Sequence, residues 1–346
     1  MNILLTSVGR RSYMVDYFKE AIDNFGEIHV SNSHYTIAME SADKYIITPL
    51  VYDEKYISSL LNYCIDNSIG AILSLFDLDL LVLAENMELF KRNGISLILA
   101  PVTSILICND KWETYNFLTK NNINTPKTFL SINTAIESIN KGILAYPLVI
   151  KPRWGTGSLG IYFADNEEEL KILYKKSKKI IFNSYLKYES SRTLMDPIII
   201  QEYMDGQEYG LDVLNDLKNN YVQTYVKEKV EMREGETMIG KTVNNSPFEF
   251  IAMKLSMLME HKGILSVDCF RTDNDIYVTE MNCRLSGHYP LSHLAGVNFP
   301  KQLLQWINGG ETDKSLLICK EDIVIEKILT PRIVRVPSRD KNLEKR

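Results

Sequence analysis

Five cysteines in 346 residues (Cys64, Cys108, Cys269, Cys283 and Cys319) form no CxxC pair and no Cys/His cluster of zinc spacing. This excludes a disulfide scaffold and a structural zinc module, and it points to reduced thiols in a cytoplasmic protein. Long apolar runs are missing as well, since none approaches the roughly 20 residues that cross a bilayer. The opening Met1–Ser7 lacks the basic region and cleavage site of a signal peptide and reads as a first buried strand. Excess positive charge is also absent. A formal net charge of −5 argues against a broad surface for nucleic acid or acidic membrane, so neither is expected as a partner. No internal repeat or low-complexity segment occurs.

What is present is ordinary for a soluble protein: 45% hydrophobic and 24% charged residues, in a chain long enough for two or three domains. Residues 1–100 alternate strand-like runs (Ile3–Thr6, Ile28–Ser31, Tyr45–Thr48, Ala71–Leu75, Leu97–Ala100) with helical patterns (Tyr13–Asn24, Glu54–Asn67, Leu78–Asn93). This alternation implies an α/β doubly wound parallel sheet, with ligands beyond the carboxyl ends of its strands. At the first such end, Thr6-Ser-Val-Gly-Arg-Arg-Ser12, Gly9 permits a tight turn and no dinucleotide fingerprint follows. Arg10 and Arg11 are candidates for gripping a substrate carboxylate or phosphate, the alternative being two solvated arginines at a helix start. One connecting helix is expected over Thr103–Asn122. Further elements are a helix at Thr134–Lys141, strands at Leu148–Lys151 and Gly160–Ala164, and a helix at Asn166–Lys178. Ile180–Asp196 reads as an irregular surface excursion. From Ile198 antiparallel strands dominate, broken by a helix at Pro247–His261. The expected division is 1–105, 106–203, 204–337 and a charged tail at 338–346.

The chemistry concentrates in Ser266-Val-Asp-Cys-Phe and Tyr277-Val-Thr-Glu-Met-Asn-Cys-Arg284. Strand alternation puts Glu280, Asn282 and Arg284 on one face, near Asp268. Two carboxylates, an amide and a guanidinium suit a hard divalent cation that bridges phosphate oxygens. Upstream, Lys151 ends a strand before Gly155, Thr156, Gly157, Ser158 and Gly160, a loop whose backbone can approach phosphates closely. It runs from strand to strand, unlike a Walker loop, and an ordinary glycine-rich hairpin is the competing reading. A buried strand at Ile198 leaves its sheet through Glu202-Tyr-Met204, a hinge able to offer backbone groups to an adenine edge, with Glu208 beyond it. Asn109-Asp-Lys111 opens a helix and adds one more lysine.

The ordered succession of Asn-Asp-Lys111, Thr125-Pro, Val149-Ile-Lys-Pro with its glycine loop, Gln201-Glu-Tyr-Met-Asp-Gly-Gln-Glu-Tyr209, Val267-Asp and Glu280-Met-Asn-Cys-Arg-Leu-Ser-Gly287 resembles the ATP-grasp superfamily. Within it, the chain is similar to standalone proteins that look like one half of the carbamoyl phosphate synthase large chain, over residues 1–310. The resemblance implies an N-terminal α/β domain followed by two α+β subdomains that clamp ATP. It assigns Lys111 and Lys151 to the phosphates or the adenine edge, the Gly155–Gly160 loop to the β- and γ-phosphates, Glu202, Tyr203 and Met204 to adenine, and Glu208 to ribose. Asp268, Glu280 and Asn282 would bind one or two Mg²⁺ ions, with Mn²⁺ as a substitute, and Arg284 would face the acyl phosphate. Cys283 stands where the family usually has proline. For the acceptor pocket, Lys227, Arg233 and Lys241 are candidates for gripping an acidic substrate or the γ-phosphate, with solvated strand charges the alternative. Lys241 is the first choice as a catalytic residue, because the family often places a basic residue just before a Thr-Val-like pair. His288 is a candidate substrate contact. The activity implied is ATP-dependent joining of a small-molecule carboxylate to an amine through an acyl phosphate, in an enzyme whose relatives are commonly homodimers. A carbamoyl-phosphate half enzyme that needs a partner and a non-catalytic nucleotide-binding module are the alternatives.

Overall fold

The computed structural model describes residues 1–155, 157–191, 196–273, 275–328, 330, 331 and 333. Thr156 and the charged tail fall outside them. Strands β1 (Asn2–Thr6), β2 (Ile28–Asn32), β3 (Lys44–Ile47), β4 (Ile69–Ser74) and β5 (Ser96–Leu97) form a parallel sheet in the order β3-β2-β1-β4-β5. The order reverses at β1, so a crevice opens beyond the carboxyl ends of β1, β2 and β4. Helices Ser12–Ile22 and Tyr56–Asp66 cover its two faces. Met14, Val15 and Phe18 pack on one side, Leu60 and Cys64 on the other.

A small antiparallel sheet follows, built from β6 (Thr128–Phe129), β7 (Leu148–Pro152), β8 (Tyr162–Ala164) and β9 (Ile198–Glu202) in the order β6-β9-β7-β8. On β7, Leu148 and Ile150 enter a local core with Leu170 and Ile181 of helix Glu167–Phe182. Val149 and Lys151 therefore face the other way, by period-2 alternation.

The third sheet is antiparallel and six-stranded: β10 (Gln207–Asn215), β11 (Tyr221–Arg233), β12 (Glu236–Val243), β13 (Gly263–Arg271), β14 (Ile276–Asn282) and β15 (Val324–Glu326), in the order β14-β13-β10-β11-β12-β15. One face buries Leu211, Val213, Leu265, Val267 and Met281 against Ala252, Leu255 and Met259 of helix Glu249–Met259. The opposite face carries Glu208, Gly210 and Asp212 of β10, Lys227 and Lys229 of β11, Asp268 of β13, and Glu280 and Asn282 of β14. The ladder pairs Gly210 with Lys227 and Asp268, and Asp268 with Glu280. One face supplies the core and the other the chemistry.

Several expected elements differ. The connecting helix is two helices, Val102–Asn109 and Lys111–Lys120, because Asp110 turns extended (φ −115°, ψ 108°). Its carboxylate caps the second helix by accepting from the Trp112 and Glu113 amides, a cap worth about 1 kcal/mol. Leu78–Asn93 likewise divides into Asp77–Glu85 and Met87–Arg92. The stretch expected to be irregular from Ile180 continues helix Glu167–Phe182 and adds a short helix, Lys187–Ser190. The last strand of the first sheet is only Ser96–Leu97, with one further backbone bond from the Ile98 amide to the Ile72 carbonyl at 3.0 Å.

Candidate active site

The two antiparallel sheets face each other across a cleft of about 610 Å³, within the usual range for a small-molecule site. From the small sheet come Val149, Lys151, Phe163, Glu202, Tyr203 and Met204, together with Gly155, Gly157 and Ser158 of the loop. From the large sheet come Glu208, Lys229, Asp268, Phe270 and Glu280. Gly155 is required on two counts. Its φ is +111°, and a Cβ there would sit 2.2 Å from Leu186 Cδ2. Its carbonyl accepts a 2.7 Å hydrogen bond from Lys111 Nζ. Lys111 is placed by its neighbour, since Asp110 also takes a two-pronged contact from Arg153 Nε and Nη2, both at 2.7 Å. Helix start, strand end and loop are thereby locked together.

Charges alternate in sign across the cleft face. Lys229 Nζ lies 2.7 Å from Glu208 and 2.8 Å from Asp268. Burial would lower its pKa, but the two carboxylates outweigh that and hold it well above the usual lysine value. Lys151 has no such partner in contact among the described residues. Burial, first, and Lys111 push it down to about 8, against the pull of Glu280, Asp268 and Glu208. Beneath Lys229, Lys227 and Asp212 form a fully buried pair at 2.5 Å. Ser292 bridges them, donating 2.7 Å to Asp212 and accepting 3.1 Å from Lys227. His288 stacks over Gly210, where a Cβ would come within 2.8 Å of the ring. Its Nε2 meets Ser266 Oγ at 3.0 Å and its Nδ1 faces Asp212 at 3.3 Å.

The donor set fits a hard cation. Asn282 Nδ2 is 3.5 Å from Glu280 Oε1, so a flip of the planar amide presents its oxygen beside the carboxylate. Asp268 stands opposite Glu280 in the ladder, with one oxygen turned to Lys229. Among the described residues no three His, Cys, Asp or Glu side chains gather as a metal cluster. Two carboxylates and an amide are the usual protein share for Mg²⁺, which takes its remaining ligands from substrate phosphates and water.

The N-terminal domain reaches the same point. Arg284 is buried, and its Nη2 meets Asp77 Oδ2 of helix Asp77–Glu85 at 2.5 Å. Burial would lower its pKa, but Asp77, Glu280 and Asp268 hold it above the ordinary value. Asp77, Asn282, Glu280, Lys111, Phe76, Leu78 and Tyr185 border a throat of about 20 Å³. The throat shares Lys111, Gly155 and Glu280 with the cleft, and Phe76, Leu78 and Tyr185 with an outer cavity of about 520 Å³ over the strand ends. Tyr185 and Tyr188 wall that cavity from the small-sheet side. Tyr188 stacks on Tyr52 (ring centroids 4.8 Å apart), whose hydroxyl donates 2.9 Å to Glu189.

The expected residues therefore separate into two groups. Lys111, Lys151, Gly155, Gly157, Ser158, Glu202, Tyr203, Met204, Glu208, Asp268 and Glu280 line the cleft, while Asn282 borders the throat and Arg284 lies behind it. Arg10 and Arg11 line the outer cavity, Arg11 donating to the Leu75 carbonyl at 2.9 Å. Burial and nearby Arg284 lower the Arg11 pKa. Others stand apart. Lys241 pairs with Glu228 across the ladder, on the face opposite Lys227 and Lys229, and binds Asp322 at 2.7 Å. Arg233 is exposed at a hairpin tip, paired with Glu231 at 3.0 Å. His288 is buried beneath the sheet face instead of open to the cleft. Cys283 lies 3.5 Å from Cys108, sulfur to sulfur, in the core. Sequence reasoning passed over Lys229, although period 2 places it with Lys227. It also passed over Asp77, whose partner is 207 residues away.

Comparison with known proteins accords with this arrangement. A family model described as a PylC-like N-terminal domain matches residues 3–98. The coenzyme gamma-F420-2:alpha-L-glutamate ligase of Methanocaldococcus jannaschii is 29% identical over 188 residues, 53% of this chain and 60% of that protein. The carbamoyl phosphate synthase large chain of Clostridium acetobutylicum is 22% identical over 305 residues, 84% of this chain and 26% of that one. The chain thus spans less than two thirds of each of these relatives. Among solved structures, the biotin carboxylase–beta-gamma-ATP complex of Campylobacter jejuni superposes with a TM-score of 0.72 at 16% identity, covering 92% of this chain and 73% of that one. The model of the ATP-grasp domain matches residues 108–288, over half of the chain and the whole of the cleft just described, and the protein belongs to that family.

Proposed function

We propose that the protein is an ATP-dependent carboxylate–amine ligase that works through an acyl phosphate. The observation that carries this reading is the graded cleft. Two lysines and a glycine loop lie at one side, an oxygen-donor set at its inner end, and Arg284 behind a narrow throat that leads to a second cavity. A nucleotide and a second reactant can meet there without sharing one pocket.

Adenine is held between Phe163, Tyr203 and Met204 on one side and Phe270 on the other, with the ribose at Glu208. Lys111 and Lys151 take phosphate oxygens, and the glycine loop covers them with backbone amides. Asp268, Glu280 and Asn282 would hold Mg²⁺, which when bound offsets the charge that builds on the phosphates during in-line transfer. Lys229 keeps Glu208 and Asp268 aligned, while Glu280 stands 4.0 Å from Lys111, between that lysine and the ion position. Arg284, held in place by Asp77, faces the oxygens of the acyl phosphate and of the tetrahedral intermediate that follows. Closure of the loop over the cleft excludes water from the activated carbonyl. A homodimer is the expected assembly, and light scattering of the full chain tests it.

Incubation of the full chain with Mg-ATP and panels of carboxylates and amines, with mass spectrometry of products, tests this reading. Substrate-stimulated ADP and phosphate release with amide formation is expected, and Glu280→Gln with Asn282→Ala is expected to remove it while nucleotide still binds. AMP release would show adenylation instead. Nucleotide binding without stimulated release across wide panels would reduce the protein to a binding module.

A further inference from the structure

The ion pair between Asp77 and Arg284 uses only one carboxylate oxygen. Asp77 Oδ1 is buried and has no hydrogen-bond partner among the described residues. Leaving such an acceptor bare costs about 1–3 kcal/mol in general, so the position calls for a donor that arrives later. Asp77 borders the throat, whose 20 Å³ is enough for one water-sized group. An amine nitrogen fits that space and donates to the bare oxygen. A carboxylate is too large and has nothing to donate. Outward of the throat, the cavity is walled by Leu50, Tyr52, Tyr56, Phe76 and Tyr188, and Arg11 lines it, its one described side-chain hydrogen bond going to the Leu75 carbonyl.

Resting on the ligase reading, we propose that the outer cavity is the amine site, where Asp77 accepts the proton of the attacking nitrogen and Arg11 anchors an anionic group on an amine with a bulky apolar body. The amine reacts as its free base. Its lone pair forms the C–N bond to the acyl carbon and the carbonyl π pair moves onto oxygen, giving the tetrahedral intermediate. As the carbonyl re-forms, the C–O bond to phosphate breaks and that electron pair leaves with the phosphate. The nitrogen grows acidic as the bond forms, so a carboxylate suffices as the base. The proton passes from nitrogen to Asp77 Oδ1 and then to the departing phosphate. Charge and atoms balance without another reagent.

The test needs no turnover. The full chain, saturated with magnesium and the non-hydrolysable analogue AMPPNP, is titrated calorimetrically with L-phenylalanine, L-leucine, glycine, 2-phenylethylamine and 3-phenylpropanoate. L-Phenylalanine is expected to bind about tenfold or more tighter than glycine, through burial of its ring, and about tenfold or more tighter than 2-phenylethylamine (no anion) and 3-phenylpropanoate (no amine), the usual worth of a charged hydrogen bond. Arg11→Met should abolish the advantage over 2-phenylethylamine. Asp77→Asn should weaken L-phenylalanine about tenfold yet leave 3-phenylpropanoate and AMPPNP unchanged. Equal binding of L-phenylalanine and 3-phenylpropanoate, no binding of either large amino acid, or an unaltered Asp77→Asn would overturn the assignment. If Asp77→Asn loses AMPPNP, the ranking on the unaltered chain and on Arg11→Met decides. Failure of the ligase reading shows separately, as absent ADP release.

Discussion

Lys151 gives the sharpest test of the cleft, because its proton is poised. Burial holds its pKa near 8 in the free protein, and a nucleotide phosphate would reverse that. One unit charge at about 4 Å is worth roughly 4 kcal/mol at an effective dielectric of about 20, or about three pKa units. In the complex the lysine therefore stays protonated throughout the neutral and mildly alkaline range. Between pH 7 and pH 9 the protonated fraction of the free protein falls from about nine tenths to about one tenth, so ADP affinity should weaken about tenfold, or ~1.4 kcal/mol. Binding at pH 9 should then take up close to one proton, measurable by calorimetry in buffers of different ionisation enthalpy. Stability of the ligand-free protein must move the other way. A lysine whose folded pKa lies below its unfolded value of about 10.4 penalises the fold at low pH, and that penalty is relieved as pH rises from about 8 to 10. Lys151→Met should flatten both slopes. Refutation is simple: an ADP affinity that is level from pH 7 to 9, with no proton uptake, means Lys151 meets no phosphate.

Further outcomes follow from the charges beneath the cleft. Lys227→Met strands Asp212 in a fully buried position and should cost about 3–5 kcal/mol in denaturant melts, while Lys227→Met with Asp212→Leu should recover most of it. Lys229→Met should weaken nucleotide turnover strongly, since Glu208 and Asp268 then repel each other, whereas Lys241→Ala should leave activity within about twofold, its ammonium lying on the other face of the sheet. Asp110→Ala removes a helix cap and the clamp on Arg153. It should lower stability by about 1–3 kcal/mol and raise the KM for ATP through Lys111.

Local signals carried most of the nucleotide half. Apolar runs alternating with helical patterns marked the parallel sheet, and the glycine loop with Lys151 marked the cleft, because these depend on neighbours in the chain. The break at Asp110 was written in the sequence too, as Asn-Asp before a helix, but a continuous apolar pattern on both sides masked it. Lys229 was likewise readable: the alternation that groups Glu280 with Asn282 also groups Lys229 with Lys227 and sets Lys241 apart. The lining of the outer cavity was not readable in this way. Asp77 gains its meaning from Arg284 and Tyr188 from Tyr52, contacts set by the packing of distant elements. The polar stretch holding Tyr185 and Tyr188 gives no local sign of forming a cavity wall.

The throat between the cleft and the outer cavity divides the molecule by inheritance as well as by space. Every described residue lining the cleft comes from position 111 onward, while most of the outer cavity's lining belongs to residues 7–78. An exchange of the first hundred residues between relatives could therefore retarget the acceptor and keep the phosphoryl chemistry whole, provided the donor segment brought an aspartate to meet Arg284. Asp77 is in that sense the coupling pin between two separately evolvable parts.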